Sequence, residues 1–209
     1  MDKQVKKPLQ QRSQKRMEQA LETATILLKT LPLDQISIPE IAKYSGVPRS
    51  SIYQFFPTIG VLINELTHRH MLLLLSYLQQ NITSYLTLDT LEILKDLIRQ
   101  TSDFYNQNHV ASVLILSGSM SVESFNVQQN TINQIIANII MILGMNKQPT
   151  IIQQDDPTIE HLVEITFSLM KKSYFKQGSI SASVQQDIFD ICRVYLIYKG
   201  YVNADIQIK

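Results

Sequence analysis

Arg49, Ser50, Ser51, Tyr53, Gln54 and Phe55 lie within seven consecutive residues and bring together a guanidinium, three hydroxyls, a carboxamide and an aromatic ring. Hydroxyls and a guanidinium suit phosphate oxygens, a carboxamide suits the edge of adenine, and a ring suits a thymine methyl. This is the chemistry of holding and reading a nucleic acid. Other constellations fall short. His68 and His70 are two residues apart and face different sides of a helix, His109 and His161 stand alone, and the single Cys192 permits neither a metal cluster nor an intrachain disulfide. Ser117-Gly118-Ser119 lacks the Gly-x-Ser-x-Gly frame and the strand that a nucleophile turn requires. A glycine-rich phosphate loop is missing too. These patterns argue against an enzyme and call for no metal or cofactor.

Side chains of that kind need a short, rigid helix beneath them. Ile41, Val47, Ile52 and Phe56 are spaced to pack two short helices against a third, and Gly46 between them tolerates the positive φ of a tight turn. Upstream, Arg12 to Lys29 repeats apolar residues at Met17, Ala20, Leu21, Ala24, Leu27 and Leu28, one face of a helix that Pro32 stops. Ser37-Ile38-Pro39-Glu40 reads as a helix start, with a Ser cap and a Pro where no hydrogen bond is lost. Pro48 allows a second short helix, about Arg49 to Phe56, which Pro57 ends. Two short helices joined by a tight glycine turn make a helix-turn-helix.

Helical signals continue to the C-terminus, through Thr58–Leu86, Asp89–Asn106, Val110–Leu116, Ser121–Leu143, Asp156–Phe175 and Ser181–Lys199, with Gly118, Gly144, Gly178 and Gly200 where helices would stop. The expected fold class is all-α with about nine helices. The expected divisions are a basic arm at 1–11, a helix-turn-helix domain at 12–57 and a larger helical domain at 58–209. Only 18% of the 209 residues are charged and 44% are apolar, which excludes a disordered chain. No apolar run reaches membrane-spanning length and the N-terminus has no apolar signal core, so a cytoplasmic protein without a membrane partner is expected. The net charge of +1 conceals an asymmetry: residues 1–70 hold 10 Lys and Arg against 6 Asp and Glu, whereas 71–209 hold 9 against 12. A polyanion would be met by the first third.

The stretch from Ile41-Ala42 through Ser45-Gly46-Val47 to Tyr53-x-x-Phe56 resembles the DNA-binding domain of TetR-family bacterial transcriptional regulators, over about residues 12–66. The resemblance implies that Ser37 caps the second helix and touches phosphate. It implies that Ser51 and Tyr53 hold the backbone, and that Arg49, Ser50, Gln54 and Phe55 face the major groove, with Pro48 opening the reading helix. Three positions depart from the family pattern: Pro32 stands for a Gly, Ile36 for a Thr or Ser, and Ile59 for a phosphate-binding Lys. The arm residues Lys3, Lys6, Lys7, Arg12, Lys15 and Arg16 either replace that Lys along a phosphate strand or form a solvated tail.

A single helix-turn-helix offers too little contact for a specific site, so a homodimer reading a palindromic double-stranded operator is expected. Stripes at Ile159, Leu162, Val163, Thr166 and Met170, and at Val184, Ile188, Ile191, Tyr195 and Tyr198, are its candidate interface. In the resembled family the corresponding helices form a four-helix bundle across a two-fold axis. The middle helices would be the sensing part, with a pocket for a small-molecule effector. Tyr77, Phe104, Tyr105, Met120, Phe125, Met141 and Phe167, with Asn133, Gln134 and Asn138, are its candidate lining. Their few charges favour a neutral, partly apolar ligand. The function expected is a ligand-responsive repressor; the alternatives are an effector-independent DNA-binding regulator and a helical scaffold protein.

Overall fold

Local capping rules set the first turns. Ser37 Oγ accepts from the backbone N–H of Glu40 at 3.3 Å, and Pro39 occupies the first turn of α2 (Ile38–Ser45). Asp89 and Glu92 form a reciprocal capping box at the start of α5 (Thr90–Gln107). Helix ends obey equally local rules, since Gly46 and Gly178 take up φ of 70° and 73°, a left-handed conformation that costs other residues a clash at Cβ.

The computed structural model describes residues 6–80, 82–117, 122–147, 150–153 and 156–203, with side chains described outside 6–10 and 122–128. Among them the chain is 80% helical, with nine helices of seven or more residues and no strand. α1 (Lys6–Leu27), α2, α3 (Arg49–Phe55) and α4 (Ile59–Gln79) are followed by a 3-10 turn at Ile82–Thr87 and α5. α6 starts at His109–Ala111 and widens into a π-turn at Ser112–Leu116; α7 (Val122–Met145), α8 (Thr158–Gln177) and α9 (Ala182–Tyr198) complete the order.

Two compact units result, residues 1–69 and 70–209. The division falls inside α4 rather than after Pro57, because the first turns of α4 belong with the first unit: Arg69 donates to Glu18 of α1 at 2.6 and 2.9 Å and to Glu65 at 2.7 Å. α1 starts upstream of Arg12, so Arg12, Lys15 and Arg16 ride on a helix. It packs on α2 and α3 through Ala20, Leu21 and Ala24, and Ile41, Val47, Ile52 and Phe56 are all buried as their spacing predicts.

In the second unit α8 packs on α9, α5 on α9 and α7 on α8. Asn106 of α5 clasps the α8–α9 connection, donating to the carbonyl of Ile180 at 2.9 Å and accepting from its N–H at 2.8 Å. Asn146, past the end of α7, donates to Thr90 Oγ1 at the start of α5 at 3.0 Å. The core here is aliphatic, with Met71, Leu74, Ile93, Ile159, Met170, Ile188 and Cys192 at most 1% exposed. Burial pushes the Cys192 thiol up to about 11, while a contact with Thr166 opposes the shift. Two glycines expected to end helices do not serve as marked stops: Gly144 lies within α7, and Gly118 is outside the described residues.

Candidate nucleic-acid interface

α3 is amphipathic over barely two turns. Ile52 is fully buried and anchors it to the first unit's core, so the opposite face is fixed outward. That face presents Arg49, Ser50, Tyr53 and Gln54 to solvent, with Tyr53 47% exposed, and Pro48 exposed at its entrance. An exposed aromatic beside a free guanidinium and carboxamide is costly to leave facing water, which makes it a surface suited to a partner. Phe55 is half-buried and packs on Phe56 with ring centroids 6.3 Å apart, so only part of its ring remains on that face.

Ser51 departs from the expected arrangement. It is 9% exposed, and its Oγ accepts from Arg16 Nη1 of α1 at 3.5 Å, so its hydroxyl ties α3 to α1 rather than facing outward. Position 51 follows Ile52 around to the packed side of so short a helix. Ser37 is half-buried with its oxygen engaged on the Glu40 N–H, as a cap requires.

The turn before α3 is held from within. Ser45 Oγ accepts from the Val47 N–H at 3.1 Å, and Gln19 Nε2 of α1 donates to the Ser45 carbonyl at 2.7 Å. These bonds set the relative placement of α2 and α3. Between them lies a shallow groove lined by Pro39, Ala42, Lys43, Gly46, Val47, Pro48 and Arg49. Lys43 and Tyr44, both exposed on the last turn of α2, were not among the residues singled out from sequence; the Lys43 Nζ lies 4.8 Å from the Tyr44 ring centroid and 3.9 Å from a Glu40 oxygen. Their signal was available, since a basic residue and an aromatic immediately before the turn share the edge of the groove with Arg49.

In the second unit an apolar cavity of about 70 Å³ is lined by residues of α4, α5, α7 and α8. Of the side chains expected to line a pocket only Phe167 does so; Tyr77, Phe104 and Tyr105 form a chain of rings leading to it, at centroid distances of 5.7, 5.6 and 6.1 Å. Asn133, Gln134 and Met141 are exposed, and Asn138 pairs with Gln79 at 2.7 Å. Met120 and the Phe125 side chain lie outside the described residues. The cavity wall is instead built from Leu and Ile, with Ile159, Leu162, Val163 and Thr166 of α8 contributing to it.

Those α8 residues, together with Met170 and Ile188, were expected on a surface between protomers; the structure buries Ile159, Leu162, Val163, Met170 and Ile188 inside the second unit. Tyr195 is half-buried, its hydroxyl 2.8 Å from His161 Nδ1. Ile191 at 45%, Val194 at 51% and Tyr198 at 83% exposure form the outward stripe of α9. Val184 is half-buried against the core.

No metal-binding group of His, Cys, Asp and Glu occurs among the described residues, and no helix among them is long and apolar enough to cross a membrane. No family model and no curated protein sequence matches the chain. Solved structures do. The chain is similar to a TetR transcriptional regulator from Rhodococcus sp. RHA1, with a TM-score of 0.66 and 16% identity over 90% of this chain and 98% of that one. It is also similar to a TetR-family transcriptional regulator from Streptomyces coelicolor, with a TM-score of 0.58 and 15% identity over 90% and 99%. The helix order, the buried hairpin and the outward face of α3 thus belong to one architecture, and the fold of this chain is that of the TetR-family transcriptional regulators.

Proposed function

We propose that this chain is a DNA-binding transcriptional regulator of the TetR family, a homodimeric repressor that binds a palindromic operator and releases it when a small molecule fills the second unit. The observation that carries this reading is the outward face of α3, where Arg49, Ser50, Tyr53 and Gln54 are exposed on a helix pinned by Ile52. Arg49 and Gln54 take the base-reading roles, because a fork of donors and a carboxamide match guanine and adenine edges. Tyr53, Ser50 and the α2 cap at Ser37 take the phosphate. Ser51 acts indirectly, by fixing α3 on α1.

Charge supports the same division of labour, since the 10 Lys and Arg against 6 Asp and Glu up to residue 70 leave that part positive. The outward stripe of Ile191, Val194 and Tyr198 supports a dimer through α9. Leu74 and Leu78 of α4 line the apolar cavity, and α4 begins at Ile59, shortly after the reading helix. Ligand that displaces them would bias α4 between two positions, coupling ligand affinity to DNA affinity.

The test is selection of binding sequences from a random duplex pool by the purified chain, followed by affinity against salt concentration on the winner. A palindrome with half-sites about 34–36 Å apart, or a multiple of that, is expected. Log affinity should fall with log salt at a slope of about 0.9 per phosphate contacted. No enrichment from a folded protein would remove the regulator reading and leave a helical scaffold in its place.

A further inference from the structure

We infer that the cavity of the second unit takes an uncharged aliphatic molecule bearing one hydrogen-bonding oxygen at its end, with the hydroxyls of Tyr105 and Thr131 as the groups that read that oxygen. Its role as an effector rests on the regulator reading above; its chemistry rests on the cavity.

Thirteen residues line the space, and ten of them are Leu, Ile or Val. None is charged, so a carboxylate or ammonium would enter without a partner and lose its hydration. A flat aromatic ligand finds one ring to stack on, Phe167, whereas an alkyl chain finds flexible aliphatic neighbours on every side. At about 70 Å³ the space equals about two water molecules of liquid, enough for a few carbon atoms before the leucines must move.

The two hydroxyls in the wall are already committed. Thr101 Oγ1 donates to the Leu97 carbonyl at 2.8 Å, and Thr166 Oγ1 lies 3.9 Å from Cys192 Sγ. One helical turn beyond the wall on α5 stands Tyr105, and one turn beyond Ile135 on α7 stands Thr131. Both side chains are buried, at 2% and 0% exposure, and each hydroxyl has no hydrogen-bond partner among the described residues.

They also belong to the same end of the space. The Asn146–Thr90 bond joins the far end of α7 to the near end of α5. Fifteen residues separate Thr90 from Tyr105, and fifteen separate Thr131 from Asn146. At a rise of about 1.5 Å per residue the two hydroxyls therefore sit at one level, about 22 Å from that bond. The Tyr105 ring meets the wall directly through Phe167, at 6.1 Å between centroids. Two buried hydroxyls without partners are unfavourable in an empty protein, and a ligand oxygen placed there would satisfy them.

The experiment measures binding of 2-heptanone, heptanoate and n-hexane to the full chain and to its Tyr105→Phe and Thr131→Val variants, by thermal shift and titration at pH 7. The wild-type chain is expected to bind the ketone and to exclude heptanoate. Each variant should weaken the ketone about fivefold or more, keep n-hexane affinity within about twofold, and melt no lower than wild type when empty. Equal binding of heptanoate, unchanged ketone affinity in both variants, or no binding of any probe overturns the inference. DNA affinity is read in parallel: lost ketone recognition with DNA binding intact removes this ligand class alone, and ketone recognition by a chain that binds no DNA upholds the ligand class and removes the regulator.

Discussion

Arg69 grips Glu18 with both terminal nitrogens, at 2.6 and 2.9 Å across 51 residues of sequence, and its Nε donates to Glu65 at 2.7 Å. A planar fork matched to a carboxylate is the strong form of ion pair, and lysine cannot reproduce it. Arg69→Ala and Arg69→Lys should each destabilise the chain; since both partners are over a third exposed, about 1 kcal/mol is expected at pH 7. The hydrogen bond from Arg69 holds the Glu18 carboxyl below its ordinary range, against the opposing effect of burial. A depressed folded value means that the stabilisation is complete above the unfolded pKa of about 4.3 and disappears as pH falls through the lower folded value. Urea midpoints for wild type and Arg69→Ala should thus converge between pH 5 and pH 3; a constant gap would show that the pair contributes nothing through charge.

Gly46 isolates a backbone effect. A Cβ there would meet nothing within 4 Å, yet φ is 70°, so Gly46→Ala costs about 1–2 kcal/mol through conformation alone. Gly46→Asn should cost less, because Asn tolerates the left-handed region. Thermal unfolding of the two variants checks the order Gly, Asn, Ala.

Roles on α3 separate by their dependence on sequence. Tyr53→Ala should weaken matched and mismatched operators alike, whereas Arg49→Ala and Gln54→Ala should each lose about 1–3 kcal/mol of discrimination at one base position. Fluorescence anisotropy on an operator and its single-base variants distinguishes them. Identical behaviour of all three variants would refute the assignment of roles.

On α9, neighbouring isoleucines should behave oppositely. Ile191 is 45% exposed on the outward stripe, so Ile191→Glu is expected to leave a folded monomer, seen by sedimentation. Ile188 is fully buried, and Ile188→Ala should instead cost about 2–5 kcal/mol of stability through the cavity it leaves. A folded, fully dimeric Ile191→Glu protein would exclude this stripe from the interface.

The hairpin was readable because its determinants are local. Ser37, Pro39 and Gly46 act within three residues of themselves, and their geometry follows from capping and φ preference whatever surrounds them. Ile159, Leu162 and Val163 show where such reading stops. Periodicity identifies them as one apolar stripe, but whether the covering layer is another helix of the same chain or a second protomer depends on packing among distant segments. The pocket was legible still less, since a cavity is a place where side chains fail to meet, and Leu and Ile stripes that leave one look the same as stripes that do not. Ser51 illustrates the smallest scale of the same problem: one step along a two-turn helix decides between solvent and Arg16, and the phase of so short a helix is set by its neighbours.

The space beneath Leu74 and Phe167 makes the second unit compressible in a way a fully packed bundle is not. A void of about 70 Å³ corresponds to about 40 mL per mole that vanishes when water enters or the helices open, within the usual range for pressure-driven unfolding. Hydrostatic pressure therefore acts selectively on this part of the molecule, and any occupant that fills the void removes the volume on which pressure works.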